Sequence, residues 1–443
     1  MNIAAGNRTH EAPLPSGGLV GAIASTRVLV RLATQGTWAV ADQALFALSN
    51  FALNMLLARW LSPGDYGAFG VAFSIYLFLG VLHTAFLTEP MLIHGSSDRY
   101  RPWFGAYLKV LLREHVKFSL IAMVVLLTVA MGLALYSVPS FSRSLFGLAF
   151  MSPLALLLWL ARRACYALLV PRLAASGGAL YMIIIAGGIA VLNERGWLSP
   201  AAAFGVIGVG SLVSSAWLLS RVLLGSGSQE GESELQIRRT HFEYGRWAAP
   251  TSVLSWITGA TPVFLLPLWG GLESVAVLKA LINPLLPMQH VITSLSVLLV
   301  PGLVRRGRGS SFAQLVNLAM TVFLAGGAIY AAFLVFFAGP LVNWMYGGRY
   351  DTAARWLPFL TPLLLTSGVS SAFSGALRAA NRPDLLFKAY ACSAVTALVL
   401  AVPLLRHGGI GGAVLLMLIT AGVTAIMLVA GRRRIENWHV GSP

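Results

Sequence analysis

Long apolar runs separated by short polar segments dominate the pattern of this chain. A helix that crosses a membrane needs about 20 mostly apolar residues, each adding about 1.5 Å of rise. By that criterion the pattern predicts an all-α polytopic membrane protein with twelve crossing helices. Their predicted ranges are 36–58, 66–88, 117–138, 144–164, 174–192, 201–223, 247–269, 273–299, 312–338, 354–376, 386–405 and 410–430.

The positions of the basic residues assign the two sides of the membrane. Of the 31 Lys and Arg residues, 24 lie on one side, in connections or at the adjoining ends of the runs, and the other seven lie on the opposite side or deeper within the runs. Cytoplasmic connections are enriched in Lys and Arg, so this asymmetry predicts that both termini are cytoplasmic. Termini on the same side require an even number of crossings, which twelve satisfies.

Composition supports the same class of protein. Hydrophobic residues make up 57% of the 443 residues and charged residues only 10%, with a mean hydropathy of +0.77. Soluble domains carry about 25% charged residues. The net charge of +16 is dispersed in short clusters without basic–aromatic interleaving, so no nucleic-acid partner is expected. The first 30 residues are weakly basic and no cleavable signal peptide is expected.

The sequence lacks the nucleotide-binding and metal-binding motifs that are typical of enzymes. There is no GxxxxGK[ST] or HExxH pattern, and the connections are too short for a catalytic domain. Cys165 and Cys392 indicate neither a disulfide framework nor a metal site. We therefore predict a protein that is not an enzyme and that uses no cofactor.

The two halves of the chain resemble each other. "GTWA" begins at Gly36 and "GRWA" at Gly245, an offset of 209 residues that also places Trp60 on Trp269. This repeat predicts two six-helix lobes related by an axis along the membrane normal, an arrangement common in transporters. The predicted organisation is a disordered cytoplasmic tail (1–30), an N-terminal lobe (31–223), a cytoplasmic linker (224–244), a C-terminal lobe (245–430) and a basic tail (431–443).

One cytoplasmic connection, "SSDRYRPWFGAYLKVLLREHVKF", has an apolar and a basic side. This pattern fits an amphipathic helix lying on anionic lipid. It fits equally a cytoplasmic extension of the third crossing helix.

Polar side chains within the first apolar run form a stripe. Gln43, Asn50 and Asn54 would lie within roughly 40° of one another on a helix, with Asp42 about 100° away. The amides are predicted to bind substrate, although hydrogen bonds between helices are the competing interpretation. A carboxylate in hydrocarbon costs more than packing returns, so Asp42 is predicted to couple transport to a proton or sodium ion.

A second polar stripe lies in the eighth run. Lys279, Asn283 and His290 share one helix face, and prolines between them favour a kink. All three are predicted to bind substrate, Lys279 as a cation for a phosphate, although Lys279 could instead extend to the periplasmic surface. Arg246, at the cytoplasmic mouth of the seventh run, is predicted either to attract the same anion or to anchor the helix.

Three segments resemble one family of bacterial transporters. They are "LARWLSPGDYGAFGVAFSIYLFLGVLHTAFLTEPMLI", "YGRWAAPTSVLSW" and "MYGGRYDTAARWLPFLTPLLLTSGVSSAFSGALRAANRPD", in this order along the chain. They are similar to signatures of the polysaccharide-specific transporters, which include O-antigen flippases. This family belongs to the multidrug/oligosaccharidyl-lipid/polysaccharide flippase superfamily, and the likeness covers most of residues 30 to 430.

The resemblance implies a multi-pass flippase of the bacterial inner membrane. Such proteins move undecaprenyl-diphosphate-linked oligosaccharides across the membrane for exopolysaccharide or O-antigen synthesis, through a cavity lined by cations and driven by ion gradients. The implied partners are the lipid-linked oligosaccharide, membrane lipids, and the polymerase and glycosyltransferases of polysaccharide assembly. The alternatives are a cation-coupled multidrug antiporter of the same superfamily and a membrane-embedded glycosyltransferase or ligase.

Overall fold

Helices account for nearly all of the described structure. The computed structural model describes residues 19–97, 100–135, 139–225, 231–306 and 310–438. The helices are α1 (Leu19–Trp60), α2 (Pro63–His83), α3 (Glu89–His94), α4 (Phe104–Leu135), α5 (Pro139–Ala167), α6 (Pro171–Glu194), α7 (Pro200–Leu224), α8 (Glu234–Leu265), α9 (Pro267–Ile282), α10 (Leu286–Arg306), α11 (Ser310–Phe336), α12 (Ala338–Tyr346), α13 (Leu357–Leu360), α14 (Pro362–Ala379) and α15 (Pro383–Trp438). A π-helical turn, Thr84–Thr88, joins α2 to α3.

The number of membrane crossings agrees with the predicted twelve. Within the described ranges, ten helical segments are long and apolar enough to cross a membrane. The more polar α8 is a further crossing, since its 32 residues extend about 48 Å. The long α15 supplies two crossings, because Gly409, at φ 52° and ψ −125°, reverses its direction. The predicted all-α, two-lobed architecture is confirmed.

Serine–proline pairs start several of these helices. Ser62 and Ser199 precede the helices in extended conformation, and their hydroxyls accept hydrogen bonds from the backbone N–H groups of Asp65 and Ala202, each at 3.2 Å. Proline follows each serine, where its missing N–H would have no partner in the helix. The short turns of the sequence therefore act as helix caps.

Each lobe is built around its own helices. In the N-terminal lobe α5 packs against α2, α4 and α7, while α1 packs against α6. In the C-terminal lobe α15 packs against α8 and α14, and α14 also contacts α10 and α11. The outer face of α4 exposes Ile121, Val125 and Met131, as expected of a surface in lipid.

The lobes meet closely at their predicted periplasmic ends, where α2 lies against α9. A Cβ atom at Gly67 would overlap the carbonyl oxygen of Leu272, so only glycine permits this approach. Beside it, Arg59 donates to the carbonyl of Trp344 at 3.3 Å, and Arg349 donates to the carbonyl of Leu61. These contacts hold the lobes together on that side.

At the predicted cytoplasmic side, α8 extends beyond the membrane and packs on α4. Arg113 pairs with Glu234 at 2.9 Å, and Arg238 pairs with Glu114 at 2.7 Å. The linker predicted at 224–244 is therefore helical from Glu234 onward. The helix α1 likewise begins at Leu19, inside the predicted 1–30 tail. Residues 1–18 and 439–443, in the two predicted tails, lie outside the described residues.

The connection for which two structures were possible is an extension of the third crossing helix. Helix α4 runs without interruption from Phe104, and the apolar side chains Trp103, Tyr107 and Leu111 are buried against protein. The Tyr107 hydroxyl lies 2.7 Å from Nε2 of His241 on α8. Burial lowers the pKa of His241 to about 4, so this imidazole is neutral at pH 7.

We predict that Gly67→Ala will weaken the contact between α2 and α9, because the added methyl group overlaps backbone that cannot move aside. The midpoint temperature of unfolding in detergent is expected to fall by several degrees. The control is Gly64→Ala in the same turn, where nothing lies within 4 Å of the added carbon. Equal midpoints for the two variants would contradict this account.

Candidate functional site

A buried ion pair joins α1 to α5. Asp42 is fully buried, and Arg162 is 8% exposed. Arg162 donates from Nη2 to Oδ2 of Asp42 at 2.7 Å and from Nε to Oδ1 at 3.3 Å. The Tyr166 hydroxyl donates to the same Oδ2 at 2.7 Å. Arg162 and Tyr166 lie one turn apart on α5, so both reach the carboxylate from one helix face.

Neighbouring residues on α1 and α6 pack against both sides of the ion pair. The guanidinium carbon of Arg162 lies 4.1 Å from the ring centre of Phe46, a cation–π contact. On the other side, a Cβ at Gly178 of α6 would come within 3.2 Å of Oδ1 of Asp42, so glycine there lets α6 approach closely. The carboxylate is thus turned into the N-terminal lobe, away from the C-terminal lobe.

Beside the ion pair lies a small polar cavity of about 170 Å³. Its cations are Arg162 and Arg163, and Gln43 and Tyr166 supply further polar groups. Arg163 is exposed, and its electrostatic neighbours include Glu89. The complete lining is Gln43, Phe46, Thr84, Thr88, Trp159, Arg162, Arg163 and Tyr166. We call this space the cationic cavity.

The π-helical turn carries two threonines of the cationic cavity, Thr84 and Thr88. Pro90 follows this turn and has no N–H to offer the carbonyl of Phe86 one turn earlier. That carbonyl instead accepts a hydrogen bond from Nδ1 of His241 at 2.9 Å. The irregular backbone therefore widens α2 and also fixes α8 against the N-terminal lobe.

A larger, mostly apolar cavity of about 380 Å³ separates α1 from α10, between the two lobes. We call it the central cavity. Gln43 and His290 contribute its polar side chains together with Ser294. The complete lining is Val40, Gln43, Ala44, Ala47, Leu48, Phe51, Pro287, His290, Val291, Ser294 and Leu295. Gln43 lines both cavities and lies between them.

Two of the residues predicted from the sequence thus face each other across one cavity, Gln43 from α1 and His290 from α10. Asn50 and Asn54 do not line it. The Asn54 amide donates to the carbonyl of Asn50 at 2.9 Å, within α1.

The other predicted residues lie elsewhere. Lys279 packs between the lobes against Gly70, and its Nζ donates to the hydroxyl of Ser74 at 3.3 Å. Asn283 is buried, with its amide 3.4 Å from the hydroxyl of Tyr346. Arg246 is exposed, with its guanidinium carbon 5.5 Å from the ring centre of Trp247.

The cations beside Asp42 were not among the residues predicted from the sequence. Arg162 and Arg163 counted there as cytoplasmic charges, because they lie at the cytoplasmic end of the fourth predicted crossing, 144–164. Helix α5 continues to Ala167, and Arg162 is buried within it. The sequence did contain a signal for this site. Arg162 and Tyr166 are four residues apart and therefore share one helix face, and Asp42 is a carboxylate within another apolar run that needs a partner.

The arrangement is suited to binding an anion next to an apolar chain. Arg163 presents an exposed cation to the cationic cavity, whereas Arg162 is neutralised by Asp42. The adjoining central cavity offers the apolar surface. Among the described residues, no group of three or more His, Cys, Asp or Glu could hold a metal ion.

Comparisons with known proteins identify the fold. No family model matches the sequence, and no curated protein sequence matches it. Among solved structures, an inward-facing multidrug resistance MATE family transporter of the MOP superfamily superposes with a TM-score of 0.74 and 14% identity, covering 91% of this chain and 100% of that one.

Two further structures have the same fold. The lipid II flippase MurJ in an inward closed conformation superposes with a TM-score of 0.66 at 15% identity, covering 90% of this chain and 87% of that one. An outward-facing MATE family transporter superposes with a TM-score of 0.64 at 14% identity, covering 93% and 96% of the two chains. The chain therefore has the twelve-helix, two-lobed fold of MOP superfamily transporters.

We predict that Arg162→Gln will lower the free energy of unfolding by about 3–5 kcal/mol, because it leaves the Asp42 carboxylate buried without its cation. The double variant Asp42→Asn/Arg162→Gln is expected to recover most of this loss, since two neutral amides can hydrogen-bond each other. Denaturant unfolding of the purified proteins in detergent measures the free energy of unfolding of both variants. Losses that simply add in the double variant would show that the pair does not interact.

Proposed function

We propose that the protein is a flippase that moves undecaprenyl-diphosphate-linked oligosaccharides between the leaflets of the bacterial inner membrane, for exopolysaccharide or O-antigen synthesis. The observation that carries the proposal is that the central cavity and the cationic cavity adjoin at Gln43, which lines both. A lipid-linked oligosaccharide has an apolar chain, an anionic diphosphate and polar sugars. The two cavities together offer apolar, cationic and amide surfaces.

The diphosphate is assigned to Arg163, with Arg162 as a second cation. Arginine binds phosphate oxygens through two parallel N–H donors, which suits this role better than lysine. His290 and Gln43 hydrogen-bond the sugars. Lys279, Asn50, Asn54, Asn283 and Arg246 remain predicted contacts along the path that opens when the lobes separate.

Asp42 is assigned to ion coupling through its contact with Arg162. When a proton or sodium ion neutralises the carboxylate, Arg162 loses its partner and becomes available to an anion in the cationic cavity. When the ion leaves, Asp42 takes Arg162 back and the anion is released. Alternating access of the two lobes then links ion movement to lipid movement.

The related solved structures support this class of activity without deciding the substrate. One is a lipid II flippase and others are multidrug transporters. A cation-coupled multidrug antiporter is therefore the competing outcome, and it would not require a free arginine in the cavity.

We predict that Arg163→Gln will slow transport of a fluorescent undecaprenyl-diphosphate-linked oligosaccharide in proteoliposomes at least tenfold. Loss of one charge-assisted phosphate contact weakens binding by about 1.5–3 kcal/mol. The control is Arg143→Gln, which removes an exposed arginine at the other end of the same helix. Normal flipping by Arg163→Gln, or export of cationic drugs without lipid flipping, would overturn the proposed substrate.

The coupling role is tested with the double variant Asp42→Asn/Arg162→Gln, which is expected to recover most of the stability lost in Arg162→Gln. Its flipping is expected to lose its response to an imposed proton or sodium gradient, because no carboxylate remains to exchange the ion. The initial rate is measured with and without the gradient. An unchanged response to the gradient would remove Asp42 from coupling.

A further inference from the structure

A separate pocket lies at the predicted cytoplasmic rim of the N-terminal lobe, outside both cavities described above. It encloses about 550 Å³ between the α5–α6 turn, the end of α7 and the 3-10 turn before α4. Three arginines from three different elements line it, Arg101, Arg172 and Arg221. Leu168, Val170, Leu173 and Val222 supply an apolar wall.

Two tryptophans indicate the level in the membrane at which this pocket lies. Arg172 lies 5.6 Å from the ring centre of Trp38, and Arg221 lies 4.5 Å from that of Trp217. Trp217 is in turn fixed by a hydrogen bond from Nε1 to the hydroxyl of Ser176 at 3.3 Å. Tryptophan is enriched at the level of lipid headgroups, so the arginines are held where lipid phosphates lie.

Within the part of the chain that the structure describes, no Asp or Glu forms an ion pair with any of the three arginines. Arginines that serve only as topology signals have no need to converge on one cavity. Three cations around one space with an apolar wall form a complementary surface for a phosphate attached to an acyl chain.

The internal repeat supplies a comparison within the same molecule. The turns α5–α6 and α14–α15 have the same backbone: Leu169 and Asn381 occupy the left-handed region at φ 59° and 57°. In both turns, the backbone N–H of the next residue donates to the carbonyl five residues earlier. The N–H of Val170 donates to Cys165 and that of Arg382 donates to Leu377, each at 2.9 Å. Proline follows in each case.

The residues at these matched positions differ in a way that points to lipid. Asparagine tolerates the left-handed region, whereas leucine is strained there by about 1–2 kcal/mol. Leu169 nevertheless occupies it and is 55% exposed, between Leu168 and Val170, which line the pocket. At the other turn, Arg382 is neutralised by two hydrogen bonds to Asp384, each 2.9 Å. Of these two turns, the α5–α6 turn combines an exposed aliphatic side chain with arginines that have no acidic partner among the described residues.

We propose that this pocket binds the phosphate headgroup of an anionic membrane phospholipid in the cytoplasmic leaflet. Arg172, Arg221 and Arg101 contact the phosphate, and Leu169 and Val170 contact the first acyl carbons. The site is distinct from the transport path, and it ties the outer edge of the N-terminal lobe to the leaflet while the C-terminal lobe moves.

The test uses the purified full-length protein and native mass spectrometry with phosphatidylglycerol or phosphatidylcholine. The protein should retain phosphatidylglycerol preferentially. The variant Arg172→Gln/Arg221→Gln should bind it at least tenfold more weakly, because each basic residue near the membrane surface contributes about fivefold to the affinity. The control Arg195→Gln, at the opposite end of α6, should bind as the unaltered protein does. Equal binding by the double variant would overturn the site.

Two further measurements test the acyl contact and distinguish a lipid from free phosphate. Leu169→Asn, which copies the matched turn, should bind phosphatidylglycerol about threefold more weakly while its midpoint of thermal unfolding stays equal or rises. Unchanged lipid affinity in this variant would show that Leu169 does not contact lipid. Excess inorganic phosphate should compete poorly, and complete displacement of the lipid by phosphate would identify a free-phosphate site and overturn the lipid assignment.

Discussion

The ion pair of Asp42 and Arg162 is the interaction on which the geometry of the N-terminal lobe depends. At membrane depth no water replaces a lost partner, so an isolated carboxylate or guanidinium would cost several kcal/mol. Meeting that requirement fixes the distance and rotation of α1 relative to α5. It also places Gly178 of α6 directly behind the carboxylate. With α1 held in this rotation, Gln43 must face the space between the lobes, so the cavities follow from the pair.

The contact between the lobes has a different physical character. It combines close backbone approach at Gly67, hydrogen bonds to main-chain carbonyls and a buried hydrophobic cluster to which both lobes contribute. Separation of the lobes would also break the hydrogen bond of Lys279 to Ser74 and expose that ammonium group. The central cavity lies between α1 and α10, along the surface where motion of the lobes is expected.

The two lobes share a scaffold but differ in their chemistry. Asp42 aligns with Thr251 in the repeat, and the left-handed turn residue is Leu169 in one lobe and Asn381 in the other. The backbone is the same because the twelve-helix architecture requires the same turns twice. The side chains differ where a binding event concerns one lobe alone. These asymmetric positions therefore carry more information about function than the repeated ones do.

The sequence by itself determined the membrane crossings, their order, the division into two lobes and the presence of Asp42, Gln43 and His290 on helices. These follow from local rules: apolar length, serine–proline caps and basic loops. Only the tertiary structure decided which polar groups meet. Helical periodicity gives the face of each side chain but not the rotation of one helix against another. Asp42 lay beside the amide stripe in the sequence, yet packing turned it toward Arg162, a residue that charge counting had assigned to the cytoplasmic side. Asn283 packed against Tyr346 for the same reason, because partner choice is a long-range property that no local pattern contains.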